Sequence, residues 1–130
     1  MNKIEQKISN ATCEHLNRMG DGWHFTYCGG NTEVARGFLG ASRHRPTMRV
    51  RLYDTDVVRA TGAPHDYELD IDLSYFSHTT ISRVNAALDG LGVGVRVRKM
   101  KGDPAVFVDG KLVSTSYAPS FRVKGGEVQS

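Results

Sequence analysis

Three segments of the chain alternate between apolar and charged residues, and this alternation constrains the fold more than any other sequence feature. Residues 67–73 read YELDIDL, residues 49–53 read RVRLY and residues 93–99 read VGVRVRK. Because successive side chains of a strand point to opposite faces, a period of two predicts strands that bury one face and expose the other. The sequence therefore predicts an antiparallel sheet with one solvated, charged face.

Other segments extend the predicted sheet. Aromatic and β-branched residues between turn signals predict strands at 23–27, 56–60, 105–108 and 111–117. SFRVKG, at 120–125, is predicted to add an edge strand. Asp109-Gly110 predicts a two-residue hairpin turn of type I′, in which both residues have positive φ. The glycine-rich stretch 28–46 has no clear period and is predicted to be a loop or a short irregular helix.

Two helices complete the predicted architecture. Apolar residues at helical spacing predict a helix over 3–19, which the sequence GDG at 20–22 ends. In SHTTISRVNAAL, residues 77–88, Ser77 or Thr79 is a natural N-cap, and Gly90 or Gly92 ends the helix. The apolar stripe of this helix, predicted near 79–89, consists of Ile81, Val84, Leu88 and Leu91.

The fold class that these elements predict is α+β. We expect residues 1–130 to form a single domain, with an antiparallel sheet, one helix packed on it and an additional N-terminal helix. A polar tail is expected from about residue 125.

The start of the second helix carries a cluster of polar residues that could bind an anion. Free N–H groups and the positive end of the helix dipole lie there, next to Thr79, Thr80, Arg83 and Asn85. As a hypothesis, Arg83 contacts phosphate and Asn85 reads a base or ribose edge. These two residues lie about 200° apart around the helix, which favours a homo-oligomer with a site between chains. The alternative is a capped helix end whose polar side chains are only solvated.

Basic residues elsewhere could assist such a site. The net charge is +3 and the pI is about 9.0, with basic residues in two blocks on either side of an acidic one. The arginines predicted to help hold an anionic ligand are Arg49, Arg51, Arg96 and Arg98. Alternatively, the acidic strand with Glu68, Asp70 and Asp72 lies beside a basic strand and neutralises these arginines.

No catalytic or metal-binding signature stands out in the sequence. There is no G-x-S-x-G, P-loop or dinucleotide-binding glycine motif. Asp54 and Asp56 could bind a divalent metal, but we interpret them as salt-bridging residues of an exposed strand. Zinc ligands are available at Cys13, His15, His24 and Cys28, but the paired C-x-x-C spacing is absent. We therefore expect no enzymatic activity, metal or cofactor, free thiols, and a buried Cys13 on the first helix.

The segment from Leu52 to Val113 resembles a group of small proteins of unknown function encoded by bacteriophages and prophages. The resemblance rests on LYDTDVV, with Tyr53, Asp54, Thr55 and Asp56, then on TTISRVNAAL, and more loosely on the turn at 108–110. SYFSH stands where members often have a glycine and a tryptophan. The resemblance implies a phage origin and no assigned activity.

Two classes of function follow as expectations. The favoured one is a non-catalytic phage accessory protein that binds an anionic ligand, namely a nucleotide signal sequestered in counter-defence. The alternatives are nucleic-acid binding and inhibition of a host protein, docked through a sheet edge or the aromatic strip at 23–27. No apolar run approaches the roughly 20 residues that cross a bilayer, so we expect the cytoplasm of the host cell and no membrane partner.

Overall fold

The fold is α+β, as the sequence predicts, with two helices and ten strands in two antiparallel sheets within the described residues. A computed structural model describes residues 2–16, 23–38, 46–63, 66–73, 77–115, 120–124 and 127–129. The helices are α1 (Lys3–Leu16) and α2 (His78–Leu91). The strands are β1 (His24–Gly29), β2 (Thr32–Phe38), β3 (Pro46–Leu52), β4 (Thr55–Ala63), β5 (Asp66–Asp72), β6 (Val95–Met100), β7 (Asp103–Val108), β8 (Lys111–Thr115), β9 (Ser120–Lys124) and β10 (Glu127–Gln129).

The large sheet has seven strands in the order β1-β2-β3-β4-β5-β9-β10. Its register aligns one row of buried side chains across four strands, Val34, Val50, Val58 and Ile71. Ile8 of α1 and Val84 and Leu88 of α2 belong to the same core cluster, so both helices cover this inner face. The predicted alternation of β3 and β5 is therefore confirmed, with the apolar residues facing the helices.

Strand β2 corrects the prediction that residues 28–46 form a loop or a short irregular helix. Thr32–Phe38 pairs with β1 on one side and with β3 on the other. Val34 faces the core, but the outward positions hold the small residues Ala35 and Gly37, both of which are buried. Small buried residues on the outer face remove the contrast between polar and apolar positions, so the period of two is not visible in the sequence.

The C-terminal strands also differ from the prediction. SFRVK forms β9, which lies between β5 and β10 and is not an edge strand. The edge is Glu127–Gln129, within the stretch that the sequence suggested was a polar tail. The hairpin prediction is confirmed, because Asp109 and Gly110 have φ values of 51° and 82° between the paired residues Val108 and Lys111.

The small sheet, in the order β6-β7-β8, joins the core through α2. Val95, Val97 and Val106 are buried in the same cluster as the large sheet's residues. α2 begins at the N-cap Ser77, whose hydroxyl accepts a hydrogen bond from the Thr80 N–H, and ends at Gly92 in the left-handed region. Of the two candidates that the sequence offered at each end, the N-cap is therefore Ser77 and not Thr79, and the helix ends at Gly92 and not at Gly90.

α1 covers Lys3–Leu16 of the predicted 3–19, and the remaining residues, with the GDG expected to end the helix, lie outside the described residues. At its start Asn2 and Glu5 exchange two hydrogen bonds between side chain and backbone, of 2.9 and 2.8 Å, which satisfies one N–H of the first turn. Cys13 lies on α1 as predicted but is exposed and not buried. Neither described helix has the length and apolar content that crossing a bilayer requires.

Candidate functional site

The structure separates the four polar residues predicted to form a site on α2. Thr79 is exposed, whereas Thr80 is buried with its hydroxyl 3.2 Å from that of Ser77. Because the Ser77 hydroxyl already accepts from the Thr80 N–H, one of the free N–H groups at this terminus is satisfied within the chain. Of the four predicted residues, only Thr79 and Thr80 lie in the first turn of α2.

Arg83 is almost completely buried, with 8% of its surface exposed. One terminal nitrogen donates to Ser82 Oγ at 3.1 Å, and the guanidinium lies next to Gly30, as does the side chain of Ile4. The hydrogen bond from the Asn2 N–H is the main cause that lowers the pKa of the Glu5 carboxyl, and the charge of Arg83 makes a smaller contribution. Arg83 therefore fills the space between α1 and the β1–β2 turn.

Asn85 has a structural role that engages both its amide nitrogen and its amide oxygen. Its Nδ2 donates to the carbonyl of Val97 at 2.8 Å, and its Oδ1 accepts from the Val97 N–H at 2.8 Å. This contact fastens α2 to β6. The proposed pairing of Arg83 and Asn85 around one ligand therefore has no geometric support within the chain.

The two arginines of β6 lie on the small sheet, apart from the start of α2. Arg96 donates to the carbonyls of Val93 and Val95 and lies 3.5 Å from Asp89. The Arg98 guanidinium lies 5.4 Å from the centre of the Phe107 ring, within the range of a cation–π contact. Neither joins Thr79 or Thr80 in a common site.

The acidic strand does not neutralise the arginines of β3, because β4 lies between them. Across the pairing register, Asp70 of β5 stands opposite Arg59 of β4 and Arg122 of β9. Asp56 binds Arg51 at 3.0 Å and Arg59 at 2.8 Å, as expected for a salt-bridging residue of an exposed strand. Burial opposes ionisation of Asp56, but these two hydrogen bonds outweigh it and lower the pKa of the carboxyl.

Arg49 lies at the centre of a group of aromatic side chains on the outer face of the large sheet. Its guanidinium carbon is 4.8 Å from the centre of the Trp23 ring and 6.0 Å from that of Phe25, and the two rings stack 6.1 Å apart. Phe25 is 56% exposed and Tyr27 is 70% exposed. We call these four residues, Trp23, Phe25, Tyr27 and Arg49, the aromatic surface.

The register of the first three strands explains why these residues meet. Phe25 pairs with Ala35, and Ala35 pairs with Arg49 on the next strand. The Trp23 ring lies over Gly37, where a Cβ would overlap it. The small residues of β2 thus leave room for rings from β1 and an arginine from β3, which is also why β2 was not recognised as a strand.

A groove continues from the aromatic surface towards the β3–β4 turn. It encloses about 420 Å³ and is lined by Tyr27, Asn31, Thr32, Glu33, Arg51, Tyr53 and Asp54. Tyr53 is 67% exposed and has a φ of 56°, which is unusual for a bulky residue. Its N–H donates to the carbonyl of Asn31 at 2.8 Å, so the two turns hold each other in place.

A larger cavity of about 530 Å³ lies on the other side of Tyr53. Its walls come from the β3–β4 hairpin, the end of β5 and the start of α2, with Leu52, Tyr53, Thr55, Val57, Asp72, Ser77, Thr79 and Thr80. This volume lies in the range of about 300–1,000 Å³ that small-molecule sites occupy. The cavity thus brings together residues of two motifs that the sequence singled out, Tyr53 and Thr55 of LYDTDVV and the paired threonines of α2.

The zinc ligands considered in the sequence are not assembled into a site. His15 Nε2 lies 2.9 Å from Thr26 Oγ1, and neither Cys13 nor Cys28 is in a disulfide. Burial raises the pKa of the Cys28 thiol, which disfavours the thiolate that a metal needs. Among the residues that the structure describes, no three His, Cys, Asp or Glu side chains are grouped as metal ligands.

Comparison with family models, curated proteins and solved structures gives no match to this chain. Its function is therefore inferred from the chemistry of its own residues.

Proposed function

We propose that the protein is a non-catalytic binding protein whose ligand is single-stranded nucleic acid, stacked on the aromatic surface. The observation that carries this proposal is the position of Arg49 over Trp23 and beside Phe25. Single-stranded nucleic acid is bound by aromatic side chains that stack on bases, combined with cations that attract phosphates. The aromatic surface offers both on the outer face of a sheet.

The electrostatics of Arg49 favour an anionic ligand. In the part of the chain that the structure describes, no carboxylate lies within 4.0 Å of its guanidinium, and its Nε is buried with no hydrogen-bond partner. Arg51 and Arg59 both bind Asp56 directly, whereas Arg49 acts on the pKa of that carboxyl only through its charge. Arg49 is thus the arginine of this face that is available to a phosphate.

A polymer fits this surface better than the single nucleotide that the sequence analysis favoured. The residues proposed to enclose a nucleotide, Thr79, Arg83 and Asn85, face different parts of the molecule. Aromatic rings instead extend from the half-buried Trp23 through the exposed Phe25 and Tyr27 to Tyr53 in the groove. A small phage protein that shields single-stranded nucleic acid would serve in counter-defence, and this biological setting stays a prediction, as does a homo-oligomer.

Trp23 is the only tryptophan, so its fluorescence reports on the proposed site directly. Titration with oligo(dT) of about 12 nucleotides is expected to quench this fluorescence at low salt. The affinity should fall as salt is added, because phosphate contacts release counterions. Unchanged fluorescence together with unchanged anisotropy of a labelled oligonucleotide at low salt would show that the proposal is wrong.

Two variants separate stacking from charge. Phe25→Ala should weaken binding by about 5- to 140-fold, since loss of one stacking ring costs about 1–3 kcal/mol. Arg49→Ala should weaken binding and reduce the slope of log affinity against log salt by about 0.7. The control is Leu112→Ala, which removes an exposed apolar side chain from the small sheet and should bind as the wild type does. Thermal melts of all three check that each variant is folded.

A protein partner is the second candidate, favoured by the position of β1 at the edge of the large sheet. An edge strand with exposed aromatic side chains can accept an extended segment of another chain. A photo-crosslinking residue at position 25 would then yield protein adducts in host lysate, and one at position 112 would not. Nucleic-acid adducts at position 25 would instead favour the first candidate.

A further inference from the structure

We infer that the groove beside the aromatic surface distinguishes RNA from DNA, because the Glu33 carboxylate accepts a hydrogen bond from the 2′-hydroxyl of a bound ribose. This inference rests on the proposed function, since it names the class of single strand that the aromatic surface takes. It starts from the position of Glu33 next to Tyr27 in the groove.

The strand register places Glu33 beside an exposed aromatic ring. Glu33 pairs with Tyr27 of β1 on one side and with Arg51 of β3 on the other. Val34, the next residue of β2, faces the core, so Glu33 lies on the outer face of the sheet with Arg49. Residues directly opposite in an antiparallel pair have Cβ atoms about 4.5–5.5 Å apart. A base stacked on Tyr27 therefore carries its sugar within reach of the Glu33 carboxylate.

The Glu33 carboxylate is available to a ligand. Its side chain lines the groove and is half-buried, and within the described residues it forms no hydrogen bond and no ion pair. The neighbouring Arg51 binds Asp56 at 3.0 Å instead. An ionised carboxylate accepts hydrogen bonds and donates none. A bound ligand that brings a donor therefore completes the hydrogen bonding of Glu33.

The charge of the groove determines which part of a nucleotide lies there. Glu33 and Asp54 both line the groove, and Arg51 is paired with Asp56, so a phosphate is repelled from it. The phosphate lies at Arg49 instead, which is two residues and about 7 Å along β3 from Arg51. The neutral sugar is the part of the backbone that faces the groove, and its 2′-hydroxyl is a donor that a carboxylate accepts.

Deoxyribose has no hydroxyl at this position. A DNA strand therefore leaves the Glu33 carboxylate without a donor while it still brings phosphates near its charge. A site that binds a hydroxyl group discriminates against the analogue that lacks it, because the polar group of the site then stays unpaired. The protein should therefore bind RNA more tightly than DNA of the same sequence.

The test uses three oligonucleotides of about 12 nucleotides that carry the same base, oligo(rU), oligo(dU) and 2′-O-methyl oligo(U), with the Trp23 fluorescence of the whole protein as the readout. The wild type is expected to prefer oligo(rU) to both others on the order of tenfold. The 2′-O-methyl strand keeps the sugar conformation of RNA but has no hydroxyl to donate. Equal binding of oligo(rU) and the 2′-O-methyl strand would overturn the inference.

A variant assigns the preference to Glu33. Glu33→Ala removes the acceptor and should reduce the preference for oligo(rU) to about one. Because the three strands carry the same phosphates, the ratio of their affinities is independent of the general effect of removing a negative charge. The matched control is Glu14→Ala, which removes the same charge from an exposed position of α1 and should keep the preference. A wild-type preference in folded Glu33→Ala would overturn the inference, and the wild-type comparison decides it if this variant does not fold.

The outcomes also separate the inference from the proposed function. Equal and measurable binding of oligo(rU) and oligo(dU) by the wild type would overturn the sugar preference and leave the aromatic surface as the binding site. Binding of none of the three oligonucleotides would overturn the proposed function, and the sugar site with it.

Discussion

The side-chain amide of Asn85 lies against the backbone of Val97 and forms two hydrogen bonds of 2.8 Å with it. β6 is an edge strand of the small sheet, and Val97 is at its centre. The amide therefore satisfies backbone groups that a neighbouring strand would otherwise pair. One polar side chain thus joins α2, which packs on the large sheet, to the small sheet.

Replacing Asn85 by alanine is expected to lower the free energy of unfolding by about 1–3 kcal/mol, because both Val97 groups lose their partner. Urea denaturation followed by circular dichroism measures this change. Asn10→Ala is the control, since the exposed Asn10 side chain accepts only from Gln6 on the same helix, and its effect should be within about 0.5 kcal/mol. Equal urea midpoints for Asn85→Ala and the wild type would contradict the proposed role.

Gly90→Ala is expected to destabilise the protein although alanine is the better helix former by about 1 kcal/mol. A Cβ at position 90 would lie 2.5 Å from the carbonyl oxygen of Ser9 and 2.7 Å from Cβ of Thr12. α1 would have to move away, which would strain the 2.8 Å hydrogen bond between Ser9 and Asp89. Such overpacking costs about 1–3 kcal/mol, so the melting temperature should fall. A higher melting temperature would show that the helices separate freely.

Ser77→Ala is expected to lower the free energy of unfolding by about 0.5–2 kcal/mol, the usual cost of losing an N-cap. Thr79→Ala should change it by less than about 0.5 kcal/mol, because Thr79 is exposed and is not the cap. Chemical denaturation of both variants under the same conditions gives the comparison. The opposite order would assign the cap to Thr79, the second residue that the sequence allowed.

The lowered pKa of Asp56 predicts a loss of stability in acid. The ionised carboxylate is favoured in the folded protein, so its contribution is complete above the ordinary pKa of about 3.9 and disappears as the pH falls through the lower folded value. Asp56→Asn should therefore destabilise the protein at about pH 7 and much less at about pH 3. The arginine partners are more than a third exposed, so the effect is moderate.

Urea denaturation of the wild type and Asp56→Asn at both pH values checks this prediction. Asp54→Asn, in the adjacent exposed turn, is the control and should stay close to the wild type at both. A difference between wild type and Asp56→Asn that grows in acid would show that the sign is wrong.

The alternating strands were predictable because burial requires one apolar face, and Leu69, Ile71 and Leu73 are all buried as the pattern of β5 indicates. β2 was not predictable on the same basis. Ala35 and Gly37 lie under side chains from the neighbouring strands, so their small size reflects contacts between strands and carries no local signal.

The four polar residues predicted to form a site on α2 show the same difference between local pattern and tertiary contacts. The sequence placed Thr79, Thr80, Arg83 and Asn85 together because they are neighbours along the chain. A helix turns by about 100° per residue, so Asn85 faces β6 while Arg83 faces α1 and the β1–β2 turn. Proximity in the sequence therefore did not bring these side chains together within one chain, and a site shared between two chains stays a prediction.

By itself, the sequence determined the fold class, the inward faces of β3 and β5, the buried positions Val84, Leu88 and Leu91 of α2, and the hairpin turn at Asp109-Gly110. These features depend on local geometry, since the periods of strand and helix and the φ values of turn residues act within a few residues. Only the tertiary structure decided that Trp23, Phe25 and Arg49 meet, and that Tyr53 lies between a groove and a cavity. Such contacts depend on the order and register of strands that are distant in the chain, and no local pattern encodes that order.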